Sequence, residues 1–290
     1  MIVVKLMGGL GNQMFQYACG RSLALRTGHE LVLETGLLKM RHLTTPREFG
    51  LDAFNIAARL ATRADMADGI SLLDRVKRRL GVHVSSTLPT IEEPDPPSAP
   101  CRFPAQFDRL CLVGYWQNEA YFAAHADIIR RDLALRAGPA ARLDAALLAR
   151  LAAPETVSLH IRRGDYVADA KTNQFHGVCP LDYYRRAAAH IAGQVRAPEF
   201  FVFSDDPGWV RENLQLDFPL QVVSDGRLRD FEELTLMSRC HHHIIANSSF
   251  SWWGAWLNPR PDKIVCAPRT WYVDPTRDAR DLVPGAWIRC

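Results

Sequence analysis

The sequence lacks the features that mark secreted, membrane-spanning and disulfide-bonded proteins. No cationic start followed by an apolar stretch resembles a signal peptide, and no apolar run approaches the length that spans a bilayer. The seven cysteines are odd in number and show no CxxC spacing, which argues against a disulfide framework in a chain of 290 residues. We therefore expect a protein that is kept in the reducing cytoplasm.

The sequence also lacks an excess of charge of one sign. Its 35 basic and 32 acidic residues give a net charge of +3, which argues against general nucleic-acid binding. That balance still permits a local basic pocket for a phosphate ligand. The chain has 290 residues, which is long enough for two domains. Since 48% of these residues are hydrophobic, each domain can bury a core of its own.

Short apolar runs alternate with helical patterns along the chain. Strands are predicted at 2–6, 30–33, 110–115, 157–161, 200–203, 220–223, 243–246 and 263–266. Helices are predicted at 14–26, 57–80, 121–136, 140–151, 181–192, 209–214, 230–239 and 251–257. Gly28 is expected to stop the first of these helices, Asp230 to cap the one at 230–239, and the three tryptophans of the last one to lie in the core. Six prolines between residues 89 and 104 predict an irregular loop there. Since helices alternate with strands, the sheets should be parallel. A boundary near 152–155 then suggests two facing, doubly wound α/β domains.

Four polar clusters follow predicted strands, at the edge where open α/β sheets bind their ligands. They lie at 8–13, 160–166, 204–206 and 247–251. The second cluster, His160-Ile161-Arg162-Arg163-Gly164-Asp165-Tyr166, is the strongest. Arginine at a strand end suits a diphosphate, because its planar fork donates two hydrogen bonds and stays charged. The alternative is an Arg–Asp ion pair that pins a loop, and the density of polar residues here favours the functional interpretation.

The other three clusters each have a structural alternative. The glycines at 8–11 lack both dinucleotide and P-loop spacing, so a tight turn explains them as well as close backbone approach to a ligand does. Asp205 and Asp206 suit a nucleobase or ribose, and equally a cap for the following helix. The hydroxyls at 247–251 open a helix and form a natural phosphate site, with a plain N-cap by Ser249 or Ser251 as the alternative.

The run Cys240-His241-His242-His243 invites a metal interpretation. Consecutive residues leading into a strand point alternately to opposite faces, so they cannot all converge on one ion. The pair Asp205-Asp206 is the rival site and shows no clear metal purpose. We therefore expect no metal site.

Together, these clusters resemble the α-1,2-fucosyltransferase family, glycosyltransferase family 11. The resemblance is carried by MGGLGNQMFQYA at 7–18, HIRRGDY at 160–166, CPLDYY at 179–184, FSDD at 203–206 and NSSFSWWGAWLN at 247–258. The last stretch favours the α-1,2 group over related α-1,6 and protein O-linked fucosyltransferases. Residues 57–109 carry no recognisable motif, which leaves acceptor preference open there.

The resemblance implies a GT-B type fold of two facing Rossmann-like domains. Residues 1–153 would form an acceptor-side domain and residues 154–290 a GDP-fucose-binding domain. The implied reaction is inverting transfer of L-fucose from GDP-β-L-fucose to the 2-hydroxyl of a terminal galactose, without a cofactor or a required metal. The acceptor would be a galactose-terminated, lipid-linked glycan, as in O-antigen biosynthesis, with peripheral contact at the inner membrane. The alternatives are a fucosyltransferase of other linkage and a non-catalytic sugar-nucleotide-binding protein.

The resemblance also assigns roles to single residues. The catalytic candidates are Arg162, Asp165 and Asn12. The donor-binding candidates are His160, Arg163, Asp205, Asp206, Ser248, Ser249, Ser251, Gly9 and Gly11. The arginines would hold the diphosphate, the histidine and an aspartate the guanosine, and the serines phosphate, while the glycine loop would approach the fucose from the other domain. Asp165 is the carboxylate nearest the arginine pair in sequence, and it would act as a base or hold those arginines in place.

Overall fold

A computed structural model describes residues 1–40, 47–66, 88–94, 100–164, 177–274, 276–277 and 279–290. Residue contacts divide the chain into two compact units. Unit 1 comprises Met1–Leu51 with Ile56–Asp132, and unit 2 comprises Asp52–Asn55 with Leu133–Cys290. The predicted boundary between residues 153 and 154 lies just before the first strand of the second sheet, which begins at Thr156.

Unit 1 is built on a five-stranded parallel sheet with the order β3-β2-β1-β5-β4. Its strands are β1 Ile2–Lys5, β2 Leu31–Glu34, β3 Arg59–Leu60, β4 Thr90–Glu92 and β5 Leu110–Val113. Its helices are α1 Leu10–Thr27, α2 Arg63–Met66 and α3 Ala126–Asp132, with 3-10 turns at Gly36–Lys39, Glu119–Tyr121 and Ala123–His125. Strand β1 is central because it pairs with both β2 and β5, and its apolar residues are buried, as an interior parallel strand requires.

Helix α1 begins at Leu10, four residues earlier than predicted. Glycine has poor helix propensity, which is why the glycine-rich residues were predicted as a turn. The turn is instead confined to the residues before α1, and the buried Gln16 side chain closes it. Its Oε1 accepts from the Met7 N–H at 3.0 Å and its Nε2 donates to the Met7 carbonyl at 3.2 Å. The predicted stop at Gly28 is confirmed, with a left-handed φ of 72°.

Unit 2 is built on a six-stranded parallel sheet with the order β11-β10-β9-β6-β7-β8. Its strands are β6 Thr156–Ile161, β7 Glu199–Ser204, β8 Leu220–Val222, β9 His242–Ile244, β10 Val265–Ala267 and β11 Ile288–Arg289. Its helices are α4 Ala137–Ala140, α5 Ala145–Leu151, α6 Leu181–Ala192, α7 Pro207–Asn213, α8 Asp230–Arg239 and α9 Ser249–Leu257, with a 3-10 turn at Leu51–Ala53 bordering the unit. Numbered from β6, this is the 3-2-1-4-5-6 order of a dinucleotide-binding fold. The prediction of parallel α/β domains is confirmed.

The core of unit 2 forms where apolar strands meet amphipathic helices. All of β6 is buried, and Leu159 pairs with Val202 of β7 and Ile244 of β9. The residues of α6 that are buried recur at helical spacing: Tyr183, Tyr184, Ala187, Ala188 and Ile191. Three tryptophans of α9 were predicted to be core, and their exposures of 0%, 0% and 2% confirm it: Trp252, Trp253 and Trp256.

Three predicted helices differ from the structure. The helix at 57–80 is wrong at its start, because Arg59–Leu60 adds an edge strand to the first sheet, and residues 67–80 lie outside the described residues. The helix at 121–136 is shortened to α3 by two 3-10 turns. The helix at 140–151 starts only at Ala145, where the Asp144 carboxylate accepts from two N–H groups of the first turn at 2.8 and 3.3 Å.

Candidate functional site

The strand order of unit 2 locates a binding edge. From β6 the chain runs to β7 and β8 on one side, then returns to β9 on the other side of β6. The carboxyl ends of β6 and β9 therefore form a topological switch point, where open α/β sheets bind ligands. Three predicted clusters, 160–166, 204–206 and 247–251, follow the adjacent strands β6, β7 and β9 at this edge.

Arg162 is oriented by Asp205 at this edge. Its Nη1 lies 2.9 Å from Asp205 Oδ2, and Asp205 Oδ1 accepts from the Arg163 N–H at 2.8 Å. The two side chains of the pair are 25% and 24% exposed. The Arg–Asp ion pair considered from sequence is therefore present, with Asp205 as the partner. Because a guanidinium presents five N–H donors in one plane, an ion pair at Nη1 is compatible with binding an anion through the fork.

Gly164 makes room for that carboxylate. A Cβ at this position would lie 2.6 Å from Asp205 Oδ2, closer than any unstrained contact allows. The glycine in the HIRRGDY motif is thus explained by the packing of Asp205 against the backbone. Any side chain here would displace the group that orients Arg162.

Arg163 is held by the start of α7. Its guanidinium carbon lies 3.7 Å from the centroid of the Trp209 ring, and its Nε lies 3.4 Å from Asp206 Oδ2. Asp206 also caps α7, because its Oδ1 accepts from the Trp209 N–H at 3.1 Å. The capping alternative for Asp206 is therefore realised. Trp209, which the sequence marked only as a helix residue, is a part of the site that sequence reasoning missed.

His160 is a buried histidine near the carboxyl end of β6, two residues before Arg162. Its side chain is buried and its ring packs 5.6 Å from the ring of Phe250, in the first turn of α9. Burial lowers the pKa of His160 to about 4, helped by the charge of Arg162 and opposed by that of Asp205. Its Nδ1 is buried without a hydrogen-bond partner among the described residues. A neutral imidazole of this kind can exchange hydrogen bonds with an uncharged base or hydroxyl.

The serines at the start of α9 are not equivalent. Ser248 is the N-cap, and its Oγ accepts from the Phe250 N–H at 3.3 Å. Ser251 is completely buried and donates to the carbonyls of Ala246 and Ser248 at 3.4 and 3.3 Å. Ser249, partly exposed at the first helical position, has the position best suited to meet an external anion. The N-cap is therefore Ser248, and not Ser249 or Ser251 as considered from sequence.

Asn247 serves as a structural clamp just before this helix. It is buried, and its Nδ2 donates to the carbonyls of Gly177 and Trp271 at 3.2 and 3.1 Å. Two distant chain segments are thereby fixed beside the switch point. This accounts for an amide in the NSSFSWWG motif without a ligand contact.

Glu233 is a second residue that sequence reasoning missed. It lies in the first turn of α8, near Ser224, whose Oγ accepts from the Ser204 N–H at 2.9 Å. Desolvation raises the pKa of Glu233 to about 7, and the nearby charges of Asp230, Asp205 and Asp225 add to the rise. An acidic residue in a first helical turn is ordinarily explained by the helix dipole, so its sequence signal was weak.

Unit 1 has a switch point of its own, between β1 and β5. Asn12, in the first turn of α1 after β1, accepts from Gln117 Nε2 at 2.7 Å, and Gln117 follows β5. Gly9 is the N-cap of α1, and a Cβ there would meet no atom within 4 Å. Gly11 is buried inside the first turn. Gly9 and Asn12 are partly exposed, so a ligand can reach them more readily than it can reach Gly11.

The other predictions from sequence concern Asp165, metal binding and membrane-spanning segments. Asp165 lies outside the described residues. Within the described ranges, no group of three or more His, Cys, Asp or Glu side chains could hold a metal ion. His243 is occupied by core hydrogen bonds, at 2.7 Å to Ser158 Oγ and 2.9 Å to Asn258 Nδ2. None of the helices that the structure describes has the length and hydrophobicity of a membrane span.

Comparison with known proteins adds independent information. A family model described as "Glycosyl transferase family 11" matches residues 100–289. The O-antigen biosynthesis glycosyltransferase WbnK of Escherichia coli is 34% identical, and the match covers 98% of each chain. An alpha-1,2-colitosyltransferase of Escherichia coli is 31% identical over 99% of this chain and 98% of its own.

One solved structure supports the fold. The α-1,6-fucosyltransferase NodZ from Bradyrhizobium, in a crystal soaked with GDP-fucose, matches with a TM-score of 0.52 at 19% identity. The match covers 89% of this chain and 92% of NodZ. Together with the two parallel sheets, this confirms the predicted two-domain α/β architecture of the GT-B type.

Proposed function

Because the chain belongs to glycosyl transferase family 11, we propose that it transfers L-fucose from GDP-β-L-fucose to the 2-hydroxyl of a terminal galactose, forming an α-1,2 linkage. The observation that carries the proposal is the oriented Arg162 at the switch point of unit 2, 2.9 Å from Asp205. A diphosphate leaving group develops negative charge as the sugar departs. A preorganised guanidinium stabilises that charge without reorganising during the reaction.

The donor site in this proposal uses the fixed groups around the switch point. Arg162 binds the diphosphate, Arg163 lies beside it on Trp209, and the start of α9 offers backbone N–H groups near Ser249. Asp205 and Asp206 position the two arginines. His160 and Glu233 are then the polar groups best suited to the uncharged guanosine, since a neutral imidazole and a carboxyl with a pKa near 7 can each donate or accept.

The proposed chemistry is a single inverting displacement. The sugar is β-linked to phosphate in the donor, so attack by the acceptor hydroxyl from the opposite face gives an α-fucoside. A base must take the proton of that hydroxyl as bonding develops. Asp165 remains our candidate for that base, and Asn12 of unit 1 our candidate for a sugar contact. The positive charge of the arginines takes the place of a metal ion, so we propose that no metal is required.

GDP-colitose is the second candidate donor. The full-length similarity to an alpha-1,2-colitosyltransferase favours colitose as the alternative sugar. Colitose differs from fucose by the missing 3-hydroxyl. A site that hydrogen-bonds a substrate hydroxyl discriminates strongly against the analogue lacking it, so the donor preference should be pronounced. As acceptor we propose a galactose-terminated, lipid-linked glycan unit, which the similarity to WbnK supports.

The test is a donor and acceptor panel. Release of GDP is measured with GDP-fucose, GDP-colitose and GDP-mannose, in the presence of lactose or of lactose methylated at the 2-hydroxyl of its galactose. We expect lactose-dependent release from GDP-fucose and none with the methylated acceptor. Preference for GDP-colitose would transfer the proposal to that sugar. GDP binding without turnover of any donor would show a non-catalytic sugar-nucleotide-binding protein.

A further inference from the structure

The segment that follows β5 has an unusual backbone. Trp116 is completely buried and adopts a left-handed φ of 55°, a conformation that bulky residues rarely take. Gly114, two residues earlier, could not carry a side chain, because a Cβ there would lie 2.4 Å from the Cβ of Glu93. A conformation of this kind persists only where its surroundings over-determine it, and such sites are concentrated at ligand-binding positions.

Glu93 holds the backbone of this segment in place. It follows β4, and its Oε2 accepts from the N–H groups of both Tyr115 and Trp116, at 2.7 and 2.8 Å. Both partners are backbone groups, so the carboxylate fixes the course of the chain whatever the side chain of residue 115. Glu93 is partly buried, and this burial raises its pKa, while the two hydrogen bonds from the backbone oppose the rise.

This backbone presents Tyr115 to solvent. Tyr115 is 39% exposed, and among the large hydrophobic side chains that are exposed in the described parts of the chain it is the only aromatic one. It stands at the carboxyl end of β5, beside the switch point of unit 1. Two residues further on, Gln117 donates to Asn12 at 2.7 Å, so an amide pair lies at the same end of the sheet as Tyr115.

An exposed aromatic ring beside fixed amides is the chemistry that recognises a pyranose. The flat ring packs against the C–H face of the sugar, while amides exchange hydrogen bonds with its hydroxyls. We propose that Tyr115 is the stacking platform for the acceptor galactoside and that Glu93 is the residue that positions it. The inference rests on the proposed function, since it names the acceptor subsite of the same reaction.

The experiment compares Tyr115→Ala, Tyr115→Phe and Glu93→Gln with wild type. Phe107→Ala is the matched control, because Phe107 is a partly exposed aromatic that precedes β5 and so lies at the opposite edge of the same sheet. For each protein the KM for lactose and for GDP-fucose and the melting temperature are measured. Lactose binding in the presence of GDP is followed separately by saturation-transfer NMR.

We expect Tyr115→Ala to raise the KM for lactose at least about tenfold, with the KM for GDP-fucose unchanged, because only acceptor binding loses the ring. Tyr115→Phe keeps the stacking face and should stay within about threefold of wild type. Glu93→Gln should raise the KM for lactose while leaving that for the donor unchanged. The Phe107→Ala protein should behave as wild type in both.

A Tyr115→Ala protein with an unchanged KM for lactose would overturn the stacking role. A Glu93→Gln protein whose melting temperature falls while the KM for lactose stays constant would reduce Glu93 to a structural residue. If wild type turned over no donor, the proposed function would fail. Lactose binding by NMR would still decide this inference: equal saturation transfer in wild type and Tyr115→Ala, or none in wild type, would overturn it.

Discussion

Replacing Arg162 by lysine tests the donor site most sharply. Lysine keeps a positive charge at the end of β6 but loses the planar fork that can meet two oxygens at once. The ammonium also cannot hold the geometry that Asp205 imposes on the guanidinium through the 2.9 Å contact at Nη1. The substitution therefore separates charge, which is kept, from preorganised geometry, which is lost.

The expected effects on catalysis and on folding differ in size. Removing one preorganised donor from a developing negative charge lowers kcat about 10²–10³-fold, or about 2.7–4 kcal/mol. The ion pair with Asp205 is a quarter exposed on both sides, so its loss costs the fold about 1 kcal/mol at most. That is small against a typical folding stability of about 5–15 kcal/mol. Turnover should collapse while the protein stays folded.

The assay is initial-rate GDP release with lactose, together with circular dichroism and thermal melting. Arg150→Lys is the matched control, because Arg150 pairs with Glu199 at the amino end of β7 and lies 5.0 Å from the Phe201 ring centroid, at the opposite edge of the same sheet. We expect that control to keep kcat within about twofold. A folded Arg162→Lys protein with near-normal kcat would refute the assignment of the diphosphate to Arg162.

Three further predictions follow from the same edge of the sheet. Gly164→Ala places a Cβ 2.6 Å from Asp205 Oδ2 and should lower kcat about tenfold or more. Gly208→Ala is the control, because its Cβ meets no atom closer than 3.9 Å, and it should leave kcat unchanged. Equal kcat values in the two variants would contradict the role given to the packing of Asp205 against Gly164. Transfer should persist in excess EDTA, and a loss that magnesium or manganese restores would contradict metal independence. The raised pKa of Glu233, about 7 against 4.5 in the unfolded chain, makes its ionisation unfavourable in the folded state. Stability from this group is therefore present at low pH and lost as pH rises through 7, so the melting temperature of wild type relative to Glu233→Gln should fall between about pH 5 and about pH 8. A constant difference between the two melting curves would show that Glu233 is not desolvated.

Interior elements were predictable because their local pattern and tertiary role agree. The runs that became β1, β6 and β7 are buried on both faces along almost their whole length, as interior parallel strands require. Edge elements carry no such signal. Arg59–Leu60 is exposed and was predicted as helix, and Thr90–Glu92 lies within the proline-rich stretch that was predicted as a loop. What makes these residues strands is pairing with a distant neighbour, which a local pattern cannot show.

The predicted N-cap of α8 illustrates the limit at single residues. Asp230 was predicted as the cap, but the helix begins at that residue and Arg229 occupies the cap position. The Glu232 carboxylate accepts from the Arg229 N–H at 2.8 Å and supplies the capping interaction from inside the helix. A boundary error of one residue is ordinary for helix ends, and it decides which side chain does the capping.

Site composition was more accessible from sequence than site geometry. The polar clusters after β6 and β7 were recognised, but their pairing depends on the parallel register that sets Ile161 opposite Ser204. That register brings Arg162 and Asp205 together across 43 positions of sequence, and no local pattern encodes it. Glu93 and Glu233 were missed for the same reason, since each gains its environment from strands or helices that are distant in the chain.

Proton NMR of the purified product on lactose identifies the linkage that the enzyme makes. We expect an α-linked fucose at the 2-hydroxyl of the galactose, because a single displacement on a β-linked donor inverts the anomeric centre. A β-linked product would contradict the single inverting displacement. Attachment of the sugar to any other hydroxyl would contradict the α-1,2 specificity proposed for this member of the family.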